Sequence, residues 1–598
     1  MSKTKDWRLY ENGKTYNNKL KPPYNDVVDT GWAFFNGDQW RNIDAENMPK
    51  PVFNIIKRVI TFLVASLTST KTKIHFEPLT GLEGMSELDD ASIANAQVNN
   101  LLEKMKFDIK IKDLLFDAAI TGDACLHFYY DMEHKPYGNI VPLSNGGSLE
   151  GVRGEICCEI VDGTNVYFGN ANNPDPQKQP YIIISGRDMV ENLQKEKDKY
   201  AKMQQEGEGS DLESIESDRN TFDMAGDSGK IEVDADSGGK ALYIIVYRKG
   251  KVDKPILDEL GQPKLDEMTG EPLTEEVETI FMSKSVEKSY IYENIDTGYK
   301  QFPVAWMNWE KKKNSYHGLG VASSVLPNQI FINRMFAMVM YHLMQTAFPK
   351  PVYNADYVNE WNNEIGSAIP IYATDIGANI KNIAGYLEPG NMSPQIVQVL
   401  EYAMTMTKDM LGINDTSLGN VTPDNTSAII AVQKTAAIPL ENPKANLYQF
   451  IEDVGHILFD MMGTNYGLRP LPIDITVPIQ TGVDPMTGAP TMGEQTQRQV
   501  IPYDFNKLKD LWLNVRADVG ESSFWSEVAS NQTLTNLLSS GFIDPVQFLE
   551  RSPDELIPKK EELVKEMKVR MEEQKALAAQ QAVAAQQQQQ QNPGGPPK

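Results

Sequence analysis

The residues best suited to chemistry are scattered rather than grouped. The six histidines, His75, His127, His134, His317, His342 and His456, include no pair at i, i+3 or i, i+4. One helix face therefore cannot offer two imidazoles to a metal ion. Cys125, Cys157 and Cys158 are too few for a disulfide framework and lack metal-ligand spacing, which fits a reducing compartment. Cys157 and Cys158 are adjacent, which on one strand sends them to opposite faces. No GxxxxGK[ST] loop, HExxH, paired CxxC or GxSxG motif occurs. Acidic residues crowd between Glu206 and Asp211, in a stretch without core-forming residues. Lys311, Lys312 and Lys313 precede a Gly turn at Gly318, a run that suits either phosphate contact or a solvated loop. We expect no enzyme, no metal and no cofactor. A carboxylate cluster assembled only by the fold remains open.

The charge balance points the same way. The formal net charge is −25 over 598 residues. A protein that grips DNA by neutralising phosphates is disfavoured, whereas one that DNA passes through without sticking is compatible. Simple solubility of a large assembly explains the charge equally well. The length predicts two to four domains. Hydrophobic residues at 41% and charged ones at 23% are ordinary for a globular protein. No run of about 18 apolar residues is present, so no membrane partner is expected. The first twenty residues lack the apolar centre of a signal peptide.

Chemistry being sparse, the positioning elements carry the argument. Residues 1–30 are polar and predict an arm or a first short helix. Trp32, Phe34, Phe35 and Trp40 flank a turn at Asn36-Gly37 and form an apolar patch. Asn54 to Thr68 is an amphipathic helix with Asn54 as N-cap and Ile55, Val59, Phe62, Leu63 and Leu67 on one face. Lys73 to Pro78 predicts a strand. Ser86 to Thr121 predicts two helical pieces joined near Lys106, with Gly122 as a C-cap. Strands follow at Asp123–Asp131 and Tyr181–Ser185. Glu155–Gly169 reads as a hairpin turning at Asp162-Gly163. Arg187–Glu206 is a charged helix, and residues of about 205–280 make a mobile acidic insertion. Within that range Ala241–Arg248 is a strand and Lys249–Glu276 an extended hairpin or loop. Two further strands fall at Glu278–Ser283 and Lys288–Asn294. The fold class is α+β, with an antiparallel sheet in the first ~315 residues.

From Gly318 the pattern changes to helix, small cap, helix, loop, helix. Asn328–Phe348 is a helix with Pro327 near its first turn and apolar residues almost all round from Met335 to Met344. Such a helix needs neighbours on several sides, most simply other copies of the chain. Pro394–Gly412 is a second helix with a stripe of Ile396, Val399, Leu400, Ala403, Met406 or Thr407, and Met410. Gln398, Glu401, Tyr402, Thr405, Lys408 and Asp409 make its wet face. Ile413–Thr426 is a loop, and Ser427–Phe459 is a helix kinked by Pro439 and Pro443. Strands are expected at Leu471–Val477, Gln499–Ile501 and within Lys507–Gly520. Residues 521–579 are mostly helical, with a long charged helix from Ile557, and the Gln/Pro-rich tail is disordered.

Several blocks resemble the portal proteins of tailed bacteriophages. They are FFNGDQW…PKPVFNIIKRVITFLVASLT, TGDACLHFYYD, VDGTNVYFGNANNPDPQKQPYIIIS and FPVAWMNWEKKKNSYHGLGVASSVLPNQIFINR. The segments SLGNVTPDNTSAIIAVQKTAAIPLENPKANLYQFIEDV and VRADVGESSFWSEVASNQTLTNLLSSGFIDPVQFLERSPDELIPKK belong with them. The resemblance covers most of the chain but fails over 205–280 and in the Gln-rich tail.

The resemblance implies a ring-forming α+β fold, usually of twelve subunits, at one capsid vertex of the virion. It implies a wing over 1–316, stem helices over 317–348 and 394–412, and a clip over 349–393. A tunnel loop would span 413–427, a kinked helix 428–465, wing return strands 466–520, crown helices 521–580 and a disordered tail 581–598. Double-stranded DNA would pass through the ring without sequence readout. The terminase large subunit, then head-completion and tail adaptor proteins, would dock at the clip, and the major capsid and scaffolding proteins would surround the ring. Candidate tunnel-loop residues are Asn414, Asp415, Thr416, Asn420, Thr422 and Asn425. Candidate channel-facing residues are Gln398, Glu401, Thr405 and Lys408. Candidate clip contacts are Tyr353, Tyr357, Trp361 and Tyr386, whose alternative role is packing within the clip. The rival readings are another head–tail ring protein, such as an adaptor or collar, and a DNA-processing nuclease.

Overall fold

The computed structural model describes residues 3–41, 43, 48–68, 73–78, 85–134, 140–142, 148–150, 153–203, 215, 239–256, 264, 272–347, 351–362, 370–371, 383–386, 393–410, 440–483, 490–510, 513–518, 534–540, 543–552 and a few positions between 560 and 570. It divides into two units, residues 1–421 with 435–519, and residues 422–434 with 520–598.

The first unit begins with two helices, where the sequence predicted an arm or one short helix. Helix α1 (Lys5–Lys19) is capped by the Thr4 hydroxyl, which accepts from the Trp7 amide at 3.2 Å. Few apolar residues suffice to anchor it because they are aromatic. Trp7 and Tyr10 pack against Tyr167, Ile183, Leu242, Ile244 and Val246. Helix α2 (Tyr24–Asn36) ends at Gly37 with φ +96°, so Asn36-Gly37 closes a helix. Helix α3 (Ile55–Leu67) has the expected cap, the Asn54 side chain accepting from the Lys57 amide at 2.9 Å. Its buried face is Ile56, Val59, Ile60, Leu63, Val64 and Leu67, while Ile55 and Phe62 are only half-buried. The predicted stripe was thus rotated by part of a turn, because the helix is apolar over more than one face.

Strand β1 (Lys73–Pro78) precedes helices α4 (Met85–Lys104) and α5 (Phe107–Thr121). They meet at Lys106, left-handed at φ +53°, and α5 ends on Gly122 at φ +103°. Strands β2 (Asp123–Asp131), β3 (Ile140–Pro142), β4 (Ser148–Glu150) and β5 (Glu155–Val161) follow. Next come β6 (Val166–Phe168), β7 (Tyr181–Met189), helix α6 (Val190–Met203), β8 (Lys240–Pro255), β9 (Thr274–Ser285), β10 (Tyr290–Asp296) and β11 (Val304–Asn308). One sheet has the order β11-β2-β5 and another β10-β9-β8-β7-β6, all neighbours antiparallel. The predicted hairpin over Glu155–Gly169 is therefore corrected: β5 and β6 belong to different sheets. The Asp162 carboxylate turns the chain between them by accepting from the Thr164 amide at 2.9 Å.

The acidic insertion is also narrower than predicted. Strands β8 and β9 pair from Ile244↔Ser285 to Pro255↔Thr274, inside the range expected to be mobile. Of residues 204–238 only Ile215 is described, buried against Leu193 and Ala241. The adjacent cysteines lie on β5, Cys158 buried and Cys157 half-buried, as strand alternation requires.

Helix α7 (Val321–Ala347), strands β12 (Pro351–Tyr353) and β13 (Ala384–Tyr386), and helix α8 (Pro394–Met410) form the helix–cap–helix stretch. Helix α9 (Glu441–Asn465) carries Pro443 in its first turn, where the missing amide costs little. It also runs beyond the predicted Phe459, and Pro439 lies outside the described residues. Strands β14 (Leu468–Val483) and β15 (Pro490–Asp504) pair along a hairpin much longer than the two short strands expected. Strand β16 (Leu513–Asp518) pairs antiparallel with β1, so the late chain completes a sheet begun near residue 73. The main core joins residues of α3, α4, α5, β2, β11 and α9. In the second unit, helix α10 (Pro545–Arg551) opens with a capping box in which Asp544 and Gln547 reciprocate. Most of the charged helix predicted from Ile557, and the whole tail 581–598, lie outside the described residues.

Candidate functional site

The helix–cap–helix stretch is positioned by two buried polar hubs. The first lies just before α7. Asp123, the first residue of β2, receives the Asn308 side-chain amide and the Gly318 backbone amide on Oδ1, each at 2.7 Å. Its Oδ2 pairs with His317 Nδ1 at 2.7 Å, and His317 Nε2 lies 3.0 Å from Asn17 Oδ1. Tyr24 stacks on the imidazole at 3.7 Å, and the Tyr316 hydroxyl donates to Asn17 at 3.1 Å. Burial drives the Tyr24 and Tyr316 phenols well above their usual range, so both stay neutral. A His–Asp pair is a familiar catalytic arrangement, but this one is sealed, with His317 4% exposed and both ring nitrogens occupied. It fastens α1, α2, β2 and β11 to the entry of α7.

Glycines allow that entry. A Cβ at Gly318 would lie 2.6 Å from the Gly122 carbonyl oxygen and 2.8 Å from that of Glu310. One at Gly320 would lie 2.7 Å from the Ile120 carbonyl oxygen. Backbone therefore packs on backbone, and α7 starts at Val321 rather than at the predicted Asn328. Pro327 sits inside the helix, not near its first turn. Lys311, Lys312 and Lys313 are exposed in the loop between β11 and α7.

The second hub is a ladder of amides. Gln329, fully buried on α7, donates to the Phe53 carbonyl at 2.8 Å and to Asn333 Oδ1 at 3.0 Å. Its own oxygen accepts from the Ile55 amide at 3.0 Å. Asn333 donates to Gln39 Oε1 at 2.6 Å, and Gln39 donates to the Phe34 carbonyl at 2.9 Å. Asn54 closes the group by donating to the Phe35 carbonyl at 2.8 Å. Helix α7 is thereby bolted to the end of α2 and the start of α3.

Beyond Ala337 the character of α7 reverses. Met338 is 56% exposed, Leu343 54% and Met344 57%, and Met340 and Tyr341 are exposed as well. Helix α8 packs on α7, and its covered side bears Leu400 and Thr407, which are buried, with Ile396 and Ala403 half-buried beside them. Val399 and Met406, expected on this inner stripe, are exposed instead, and Met410, 72% exposed, meets α7 through its sulfur, which accepts from the Asn328 side chain at 3.8 Å. With Tyr402, expected on the wet face, they form a second stripe at spacings of three and four, all exposed. Gln398, Glu401 and Thr405 are exposed and share a further face, with Lys408 half-buried at its edge. Helix α8 thus has one face for α7, one apolar face that the described residues leave exposed and one polar face.

In the cap, Pro351↔Tyr386 and Tyr353↔Ala384 are register pairs of a two-stranded sheet. Tyr353 stacks on Trp361 with centroids 5.8 Å apart and an interplanar angle of 19°. Tyr357 donates its backbone amide to the Asn354 carbonyl at 3.1 Å. Asn414, Asp415, Thr416, Asn420, Thr422 and Asn425 lie outside the described residues. Nothing local in the sequence marked Asn17, Asp123 and His317, or Gln39, Gln329 and Asn333, as groups. Their partners are hundreds of residues apart, and the only hint was polar residues inside otherwise apolar blocks.

Among the described residues, no group of three or more His, Cys, Asp or Glu is placed to hold a metal ion, and no helix is long and apolar enough to cross a membrane. Buried polar groups among these residues fasten elements together, and exposed apolar surface lies on the paired helices. A family model described as Phage P22-like portal protein matches residues 28–594, and the chain belongs to this family of phage portal proteins. No curated protein matches the chain.

Proposed function

We propose that the chain is one subunit of a closed ring, of about twelve copies, through which double-stranded DNA enters and leaves a phage capsid. The observation that carries this reading is the uncovered apolar surface of α7 and α8. Met338, Leu343 and Met344 on one helix, with Val399, Tyr402, Met406 and Met410 on the other, are exposed although strongly apolar. Neighbouring stems in a ring would cover them. The polar face bearing Gln398, Glu401, Thr405 and Lys408 would then line the channel. With a chain of net charge −25, such a lumen would release few counterions and let DNA slide.

In this reading residues 317–348 and 394–412 are the stem, 349–393 the clip, 413–427 the tunnel loop, and 1–316 with 466–520 the wing. The clip would dock the terminase large subunit during packaging and head-completion or tail adaptor proteins afterwards. Because Tyr353 and Trp361 stack on each other, they would present a preformed aromatic ledge to such a partner. Negative-stain electron microscopy of the purified protein tests the ring directly, the expected view being a particle with a central hole and ~12-fold averages. Deletion of Asn414–Asn425 should leave rings intact while impairing DNA packaging or retention. Loss of ring assembly in that deletion would refute the tunnel-loop assignment.

A further inference from the structure

Away from the paired helices, α4, β5 and the start of β14 border a small polar cleft of about 20 Å³, open to solvent on the side of Asn100 and Lys104. That is room for one water-sized polar group. Its lining includes Gln97, Asn100 and Lys104 from one face of α4, Glu155 from β5, and Arg469. Arg469 is 4% exposed. Its Nε donates to the Tyr466 carbonyl at 3.2 Å, and its Nη2 to the Tyr130 hydroxyl at 3.0 Å and the Arg153 and Gly154 carbonyls at 3.2 and 2.7 Å. The guanidinium also stacks on Tyr466 at 3.7 Å. Every acceptor it has among the described residues is neutral, and its Nη1 donates to none of them. A buried cation without a carboxylate partner is costly.

Across the cleft, Lys104 pairs with Glu155 at 2.8 Å, and Glu155 also meets His134 at 2.8 Å. Glu155 is thus shared between Lys104 and His134, and none of its oxygens reaches Arg469 within hydrogen-bond distance. The side-chain amides of Gln97 and Asn100 make no hydrogen bond among the described residues, so their donors are available. We propose that this cleft binds the head of a single small oxyanion, a carboxylate or a phosphate, held by Arg469 Nη1, Lys104 and the two amides. The anion is either free in solution or the acidic side chain of a second copy of this chain, which carries 82 Asp and Glu residues.

The test is thermal melting of the full chain with increasing inorganic phosphate at constant ionic strength, run separately on monomer and oligomer fractions from size exclusion. A saturable rise in Tm of equal size in both fractions assigns the free anion. A rise confined to the monomer assigns a neighbour's carboxylate that already fills the site in the oligomer. In either case Lys104→Met should weaken the apparent phosphate affinity at least tenfold, because a charge-assisted hydrogen bond is lost. Gln97→Glu, which builds a carboxylate into the cleft, should raise Tm without phosphate and abolish the response. No saturable rise in either fraction, or a rise that both variants leave intact, overturns the proposal and leaves Arg469 as a structural clamp on the end of α9.

Discussion

Replacing Gln329 with leucine isolates the amide ladder that fixes α7. Leucine matches glutamine in helix propensity and roughly in size, so the backbone of α7 is not itself perturbed. What changes is hydrogen bonding at a position with 0% exposure. The Ile55 amide at 3.0 Å, the Phe53 carbonyl at 2.8 Å and Asn333 Oδ1 at 3.0 Å all lose a partner. An orphaned buried polar group costs about 1–3 kcal/mol. The Ile55 amide and the Phe53 carbonyl keep their own hydrogen bond at 2.8 Å, so only Asn333 Oδ1 loses a partner for which the described residues hold no substitute. One orphaned oxygen plus two hydrogen bonds weakened rather than left unmade gives an expected loss of about 2–4 kcal/mol. That is a large part of the roughly 5–15 kcal/mol of a typical domain. Urea unfolding of monomeric protein, followed by tryptophan fluorescence, measures it. The double variant Gln329→Leu with Asn333→Leu should cost less than the sum of the singles, because the two residues satisfy each other. A loss below about 1 kcal/mol, or strict additivity in the cycle, would refute the view that the ladder holds α7 in place.

Three further outcomes follow from other contacts. Asp117 is pushed up to about 7 by burial first, then by the nearby charges of Asp162 and Asp113. A carboxyl with a raised folded pKa contributes stability fully below about pH 4 that is lost as pH rises to about 7, so Asp117→Asn should flatten that fall in a pH series of melting curves. Gly320→Ala places a Cβ 2.7 Å from a backbone oxygen that cannot step aside, and should lower stability by about 1–3 kcal/mol in the same urea assay. Met344→Glu combined with Met406→Glu should leave the monomer's melting temperature unchanged while sedimentation velocity shows assembly abolished; unchanged assembly would mean that these faces stay uncovered.

The sequence revealed helix ends and caps best, because they are set by residues close in the chain. Asn54, Lys106 and Gly122 each act where local chemistry puts them. Pairing across distance was less legible. Asp162-Gly163 has the composition of a hairpin turn, but whether the following strand pairs back depends on which sheet edge is free, and here β6 pairs with β7. Likewise Lys249–Pro255 looks like loop by composition, yet it continues β8 because β9 supplies a partner strand along its whole length. The hubs around His317 and Gln329 were invisible for a stronger reason. A buried polar residue looks in sequence like an exposed one, and only its partners, such as Asn17 and Gln39, distinguish the two.

The face of α8 shows why a subunit that assembles misleads a reading of amphipathicity. Periodicity finds apolar positions but not what covers them. On α8 the residues that meet α7 and the stripe Val399, Tyr402, Met406, Met410 lie about a quarter turn apart, so together they merge into one broad apolar arc. A reading that assigns a single partner centres the stripe between the two and misplaces Val399 and Met406, while Met410 at the helix end still reaches Asn328 of α7. The error therefore carries information: an arc too wide for one neighbouring helix requires a second surface, and in this chain the described residues do not supply it. If that surface belongs to another copy, substitutions on the two halves of the arc must behave differently. Leu400→Ala should destabilise the monomer by about 2–5 kcal/mol through the cavity it leaves against α7, whereas glutamate at Met406 should cost the monomer little and act on assembly.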